Sequence, residues 1–126
     1  MRYLLMAALL VVGLIHLLPL SGVLGAAHLG TLYGIAVDEP NALLLMRHRA
    51  VLFGLLGVFL AIAAFRPAWR GAAFVAGLVS VVSFLLLAWS GDGYNAAIER
   101  VVAADVVALV CLLIGGGVHL LLQRRA

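Results

Sequence analysis

Along the chain, four long apolar runs alternate with short polar interruptions. The runs cover residues 3–24, 42–65, 67–90 and 96–122. Each is long enough to cross a bilayer, which takes roughly 20 residues of α-helix. The pattern predicts an all-α chain in which residues 1–126 form a single transmembrane domain. The expected architecture is an integral membrane four-helix bundle of antiparallel, up-down topology.

The interruptions refine this picture. The longest, residues 25–41, is still fairly apolar and reads as an interfacial loop capping the outer face, with Tyr33 at headgroup level. At its end Asp38-Glu39-Pro40-Asn41 supplies turn and helix-start chemistry for the second span. Residues 91–95 form a tight turn with Tyr94 as a second interface anchor. The connection at Arg66-Pro67 is short, so the second and third spans should be neighbours.

Composition removes the soluble alternatives. Of the residues, 67% are hydrophobic and 10% charged, against about a quarter charged in soluble domains. Mean hydropathy is +1.26. A water-soluble fold of this composition would have no surface. The net charge of +3 comes from arginines, lysine being absent, and these mark the ends of apolar runs without forming a basic stripe. No nucleic-acid partner is therefore expected. The lone Cys111 lies inside the last run and reads as a small apolar filler.

Charge placement sets an orientation. Arg2, Arg66, Arg70, Arg124 and Arg125 lie at the N-terminus, the second connection and the C-terminus, with no acidic residue among them. The opposite ends carry Asp38, Glu39, Asp92, Glu99 and Asp105 against Arg47, Arg49 and Arg100. The positive-inside rule then predicts both termini in the cytoplasm, N-in/C-in, for a multi-pass protein of a bacterial inner membrane. The first run exceeds the h-region of a cleaved signal peptide and is expected to stay as the first span.

Helices in lipid associate mainly through small residues that let backbones approach. Ala50, Gly54, Gly57 and Ala61 in the second span, and Ala72, Ala73, Ala76, Gly77, Ser80 and Ser83 in the third, read as two facing seams. Gly115-Gly116-Gly117 in the fourth marks a close crossing, or else a kink or hinge.

The chemistry concentrates near the outer face. Arg47-His48-Arg49 begins about six residues inside the second span, or about 9 Å along its axis. Arginines at such depth need partners or water. Successive helical positions turn by about 100°, so Arg47 and Arg49 point to nearly opposite sides. In the fourth span Glu99 lies at the outer end and Asp105 about 13 Å deep. His16, about 12 Å into the first span, shares that depth. The expected ligand-binding cluster is thus His16, Arg47, His48, Arg49, Glu99 and Asp105, with Arg47 or Arg49 paired to Asp105 and Glu99 paired to the other arginine or to Arg100. A purely structural reading, charges neutralising one another and stapling the helices, is open at this point. So is a b-type haem held by His16 and His48, the one pair at matched depth.

The stretch Leu43-Leu44-Leu45-Met46-Arg47-His48-Arg49-Ala50-Val51-Leu52-Phe53-Gly54-Leu55-Leu56-Gly57, together with Leu32-Tyr33-Gly34, Ser80-Val81-Val82-Ser83-Phe84 and the segment from Tyr94-Asn95 through Arg100 to Asp105, resembles a group of small, uncharacterised bacterial four-helix inner-membrane proteins. Some of them are labelled phosphopantetheine adenylyltransferase. Such an enzyme is a soluble α/β protein with a His-x-Gly-His site, whereas here His28-Leu29-Gly30 is followed by Thr31. The resemblance implies the fold and the choice of residues, and no activity. The size is also similar to that of small multidrug-resistance transporters, four-helix dimers with a Glu in the first helix, but the first span here has no carboxylate.

The functional expectation is a pocket that binds a lipid headgroup or small anionic ligand through arginine donors, or an accessory subunit of a membrane complex, without a resident cofactor. Alternatives are a proton-coupled small transporter working as a dimer with Asp105 as the titrating group, and the haem protein. Membrane lipids, a homodimer or a larger complex are the expected partners. Ser21, Ser80, Ser83, Ser90 and Cys111 stand in no triad or elbow context, so the reading leans away from an enzyme.

Overall fold

The computed structural model describes residues 1–125. Helix α1 spans Arg2–Leu17 and continues as a 3₁₀ segment, Leu18–Leu24. Then come α2 (Ala26–Tyr33), α3 (Pro40–Phe65), a 3₁₀ turn (Pro67–Trp69), α4 (Arg70–Ser90) and α5 (Ala96–Arg125). Among the described residues there is no strand, and four of the helical stretches are long and apolar enough to cross a membrane. These are Arg2–Leu24, Pro40–Phe65, Pro67–Ser90 and Ala96–Arg125.

The element ends follow local chemistry. Pro19 has no N–H to donate, and around it the first span leaves α geometry and tightens into the 3₁₀ segment. Helix α3 begins two residues before its apolar run, at Pro40. Pro40 occupies the first helical position, where its missing N–H costs nothing. The Glu39 carboxylate accepts from the backbone amides of Asn41 (3.1 Å) and Ala42 (2.8 Å), a helix cap. These two bonds, Ala42 first, hold the Glu39 carboxyl below the usual carboxylate range. Asn95 caps α5 in the same way, its Oδ1 accepting from the Ile98 amide at 2.8 Å.

The segment expected to be a plain interfacial loop carries a helix of two turns. Leu29, Tyr33 and Val37 are buried together and pack against Leu43 and Met46 of α3 and Ile98 and Val101 of α5. Tyr33, expected at headgroup level, is only 4% exposed. Helix α2 stops at Gly34, whose φ of 66° is left-handed. A Cβ there would stand 3.1 Å from both Asn95 Nδ2 and Ala97 Cβ, so a glycine is needed on two counts. The Asn95 amide donates to the Tyr33 carbonyl at 2.8 Å and thereby ties the end of α2 to the start of α5.

Helix α1 lies between α3 and α5, and α4 packs on both of those helices. The small-residue seam of α3 faces α1 and not α4, a correction to the expected pairing of seams. A Cβ on Gly57 would meet the Gly13 carbonyl oxygen at 2.8 Å, one on Gly54 would meet Leu20, and Gly22 stands against Ala50. The counterpart was Gly13, an isolated glycine in α1. Gly77 of α4 instead receives Leu112 of α5. Helix α5 runs unbroken through Gly115-Gly116-Gly117. There Gly115 alone lies in a close crossing, against Ala8 and Phe74. The largest core cluster joins Leu5, Leu9 and Val12 of α1 to Leu60 of α3, Val81 and Leu85 of α4, and Leu112 of α5.

Candidate functional site

A cavity of about 270 Å³ lies beneath α2, at the end of the molecule away from the two termini. The 3₁₀ segment contributes Leu18 and Pro19, α2 contributes Thr31 and Tyr33, α3 contributes Arg49 and Phe53, and α4 contributes Phe84. From α5 come Arg100, Ala104 and Asp105. His16 of α1 completes the polar lining. The wall is mainly hydrocarbon, with two guanidiniums, one carboxylate, one imidazole and one phenol converging on it, the composition expected of a small-molecule pocket.

The cluster expected from the sequence is therefore divided. His16, Arg49 and Asp105 line the cavity. Arg47, His48 and Glu99 are exposed and do not. The cause is helical geometry: one turn of α3 that brings Arg49 inward sends its two predecessors to other faces. Arg47 bends back over the surface, where its Nε donates to the Val23 carbonyl at 2.9 Å.

The expected ion pairs to Asp105 and Glu99 are not formed. Among the described residues no guanidinium stands within 4.0 Å of a carboxylate oxygen. Arg49 is held by other means. Its Nη1 donates to the Tyr33 hydroxyl at 2.7 Å, and its Cζ lies 4.4 Å from the Phe53 ring centre, 5.4 Å from that of Tyr33 and 6.0 Å from that of Phe84. Aromatic faces attract a cation by their quadrupoles, which at a half-exposed site such as this is worth about 0.5–1 kcal/mol. They do so without neutralising it. Arg49 borders the cavity together with Asp105, whose charge lies in the same field.

His16 is 2% exposed, and both ring nitrogens are engaged. A carbonyl can only accept, so Nδ1 carries the hydrogen and donates to Val12 O at 2.9 Å. In the neutral ring Nε2 then accepts from the Ser80 hydroxyl at 3.0 Å. Phe53 stands beside this ring at 5.8 Å between centres, linking His16 to the Arg49 cage. Both nitrogens of His16 are thus engaged within the helices, and His48 is exposed outside the cavity. Among the described residues, no three His, Cys, Asp or Glu side chains group as metal ligands.

Four contributors went unrecognised in the sequence. Tyr33 has the strongest signal: with Leu29 it makes an i, i+4 apolar pair ending at Gly34, the mark of a short helix. Asn95 carries an N-cap signal, standing just before the fourth apolar run. Phe53 and Ser80 carry none, since an aromatic or a hydroxyl inside an apolar run is ordinary. Arg100 stood in the sequence only as a pairing partner for Glu99, yet it lines the cavity.

The chain matches no family model, no curated protein and no solved structure.

Proposed function

We propose that this is a non-enzymatic membrane protein whose α2-end cavity binds a lipid headgroup or small anionic ligand through Arg49 and Arg100. The four apolar stretches form an up-down bundle in the bacterial inner membrane with both termini cytoplasmic, so the cavity opens toward the outer leaflet. That orientation rests on the arginines of the termini and the α3–α4 connection, which face no acidic residue. The protein works with membrane lipids and as a homodimer or an accessory subunit of a larger complex.

The observation that carries the reading is the state of Arg49. It is half-buried, borders a cavity, donates to the Tyr33 hydroxyl and lies against the rings of Tyr33, Phe53 and Phe84, where a stapling arginine would pair directly with a carboxylate. Guanidinium matches phosphate and carboxylate oxygens two at a time. A second guanidinium, Arg100, borders the same space. Asp105 lines the same cavity and tunes the site, since its negative charge keeps the affinity for anions moderate and the binding reversible.

The test is native mass spectrometry of protein released from mild detergent, comparing wild type with Arg49→Gln. An anionic adduct should be present on wild type and lost from a variant with unchanged helical circular dichroism. An adduct retained by Arg49→Gln would contradict the assignment.

A further inference from the structure

Arg49, Phe53 and Phe84 border two spaces. On one side lies the cavity under α2; on the other is a groove of about 340 Å³ between α3 and α4, lined by Leu52, Leu56, Ser80, Ser83 and Leu87 besides the shared three. The groove opens outward, because Leu52, Ser83 and Leu87 are exposed. It exists because α3 packs closely on α1 through Gly54 and Gly57 and only loosely on α4. The His16–Ser80 hydrogen bond spans the same partition, with His16 on the cavity side and Ser80 on the groove side.

On the reading proposed above, we infer that the ligand is a single-chain amphiphile. Its anionic head sits in the cavity against Arg49 and Arg100, and its hydrocarbon tail leaves between Phe53 and Phe84 and lies along the α3–α4 groove. Three observations converge on this occupant. The cavity alone, about 270 Å³, is just under the size range of ligand pockets, roughly 300–1,000 Å³, and the adjoining groove supplies the missing space. Polar groups thin out along the path as an amphiphile needs: two guanidiniums beside one carboxylate, an imidazole and a phenol in the cavity, then rings, then leucines with two small hydroxyls. Arg49, with the Phe53 and Phe84 rings beside its guanidinium, is the wall that the two spaces share. A wholly polar anion would leave the throat and groove unused, and a two-chain lipid would need a second apolar exit from the cavity.

The test separates head from tail. Binding of butyl phosphate and of dodecyl phosphate to the full chain in uncharged nanodiscs is measured for wild type, Ser83→Trp and Ser83→Ala, and dodecyl phosphate with a diazirine at its chain end is crosslinked to wild type. Wild type should bind dodecyl phosphate at least tenfold more tightly than butyl phosphate. Ser83→Trp, which fills the exposed groove, should reduce the dodecyl affinity to the butyl level and leave butyl phosphate unchanged. Ser83→Ala should keep both affinities, and the crosslinks should fall on Leu52, Leu56 or Leu87. Equal affinity for both phosphates, an indifferent Ser83→Trp, or crosslinks confined to other helices would overturn the tail path while leaving the anion site intact. Failure of either phosphate to bind wild type would overturn the anion site itself, and the tail path with it.

Discussion

Two arginines lie inside this molecule without a carboxylate, one at each end, and they are held in opposite ways. Arg70 begins α4 near the termini and is 7% exposed. Its Nη2 donates to the Ala64 carbonyl at 2.7 Å and its Nε to Ala63 at 3.4 Å. These carbonyls lie in the last turn of α3, where oxygens run out of helical donors; Ala63 also accepts from the Arg66 amide at 3.2 Å. The negative end of the α3 dipole favours a cation there as well. Arg49 sits near the α2 end with one phenol, three rings and a cavity. Both contacts of Arg70 go to backbone carbonyls at the end of α3, the shorter one to Ala64, and so it closes that helix end. The contacts of Arg49 position a charge in a cavity that it shares with Asp105, without a direct ion pair. What an inward arginine donates to, more than its burial, distinguishes a staple from a site.

The largest effect should come from breaking the staple. Arg70→Met takes the Arg70 donor from the Ala64 carbonyl, at roughly 2 kcal/mol of stability, while Ala63 keeps the Arg66 amide. Arg49→Met gives up a hydrogen bond and cation–π contacts at a half-exposed site, and should cost about 1 kcal/mol or less. Unfolding in mixed micelles should rank the two in that order, with anion binding lost only in Arg49→Met. Next in size is Asn95→Ala, which removes the α5 cap and the tie to α2 together. A loss of about 1–2 kcal/mol is expected, with weaker ligand binding because the roof over Arg49 is released. Full affinity in this variant would show that α2 is not the roof.

Asp105→Asn removes the one carboxylate of the cavity without changing its shape. The affinity for an anionic ligand should rise by roughly fivefold, about 1 kcal/mol of relieved repulsion. An unchanged or lower affinity would mean that Asp105 does not share the ligand's field. The smallest effect concerns Glu39, an exposed cap with a depressed pKa. A depressed carboxyl contributes stability above its unfolded pKa and loses it as pH falls through the folded value. Mild acid should therefore loosen the first turn of α3 in wild type and have no such effect in Glu39→Gln. Amide hydrogen exchange at Asn41 and Ala42 measures this.

The sequence made the four spans legible because a bilayer demands long apolar runs, and no other soluble or fibrous class shares that signature. The region of the site was legible too, since Arg47-His48-Arg49 and Asp105 are rare groups in such runs. The faces were not. Which of three consecutive residues turns inward depends on how α3 rotates against α1, and that rotation is set by Gly13 meeting Gly57, a contact between residues 44 positions apart. The seams were misassigned for the same reason: small residues advertise a close approach and do not name the partner. Helix α2 was missed because it is short and glycine-flanked, stabilised by tertiary burial of Leu29 and Tyr33 more than by propensity. Arg70, read as part of the α3–α4 connection, is the first residue of α4 and also donates to the end of the preceding helix, a contact its charge did not advertise.

The central claim, that Arg49 is a free cation for a ligand and Arg70 is not, is tested most directly by the arginine side-chain signals themselves. Protein labelled with ¹⁵N-arginine in nanodiscs is titrated with butyl phosphate while the guanidinium resonances are followed, assigned through Arg49→Lys and Arg70→Lys. The account predicts a saturable shift at Arg49, a smaller one at Arg100, and none at Arg70. A resonance of Arg49 that stays fixed, or shifts no more than those of the exposed Arg47 and Arg66, would contradict it.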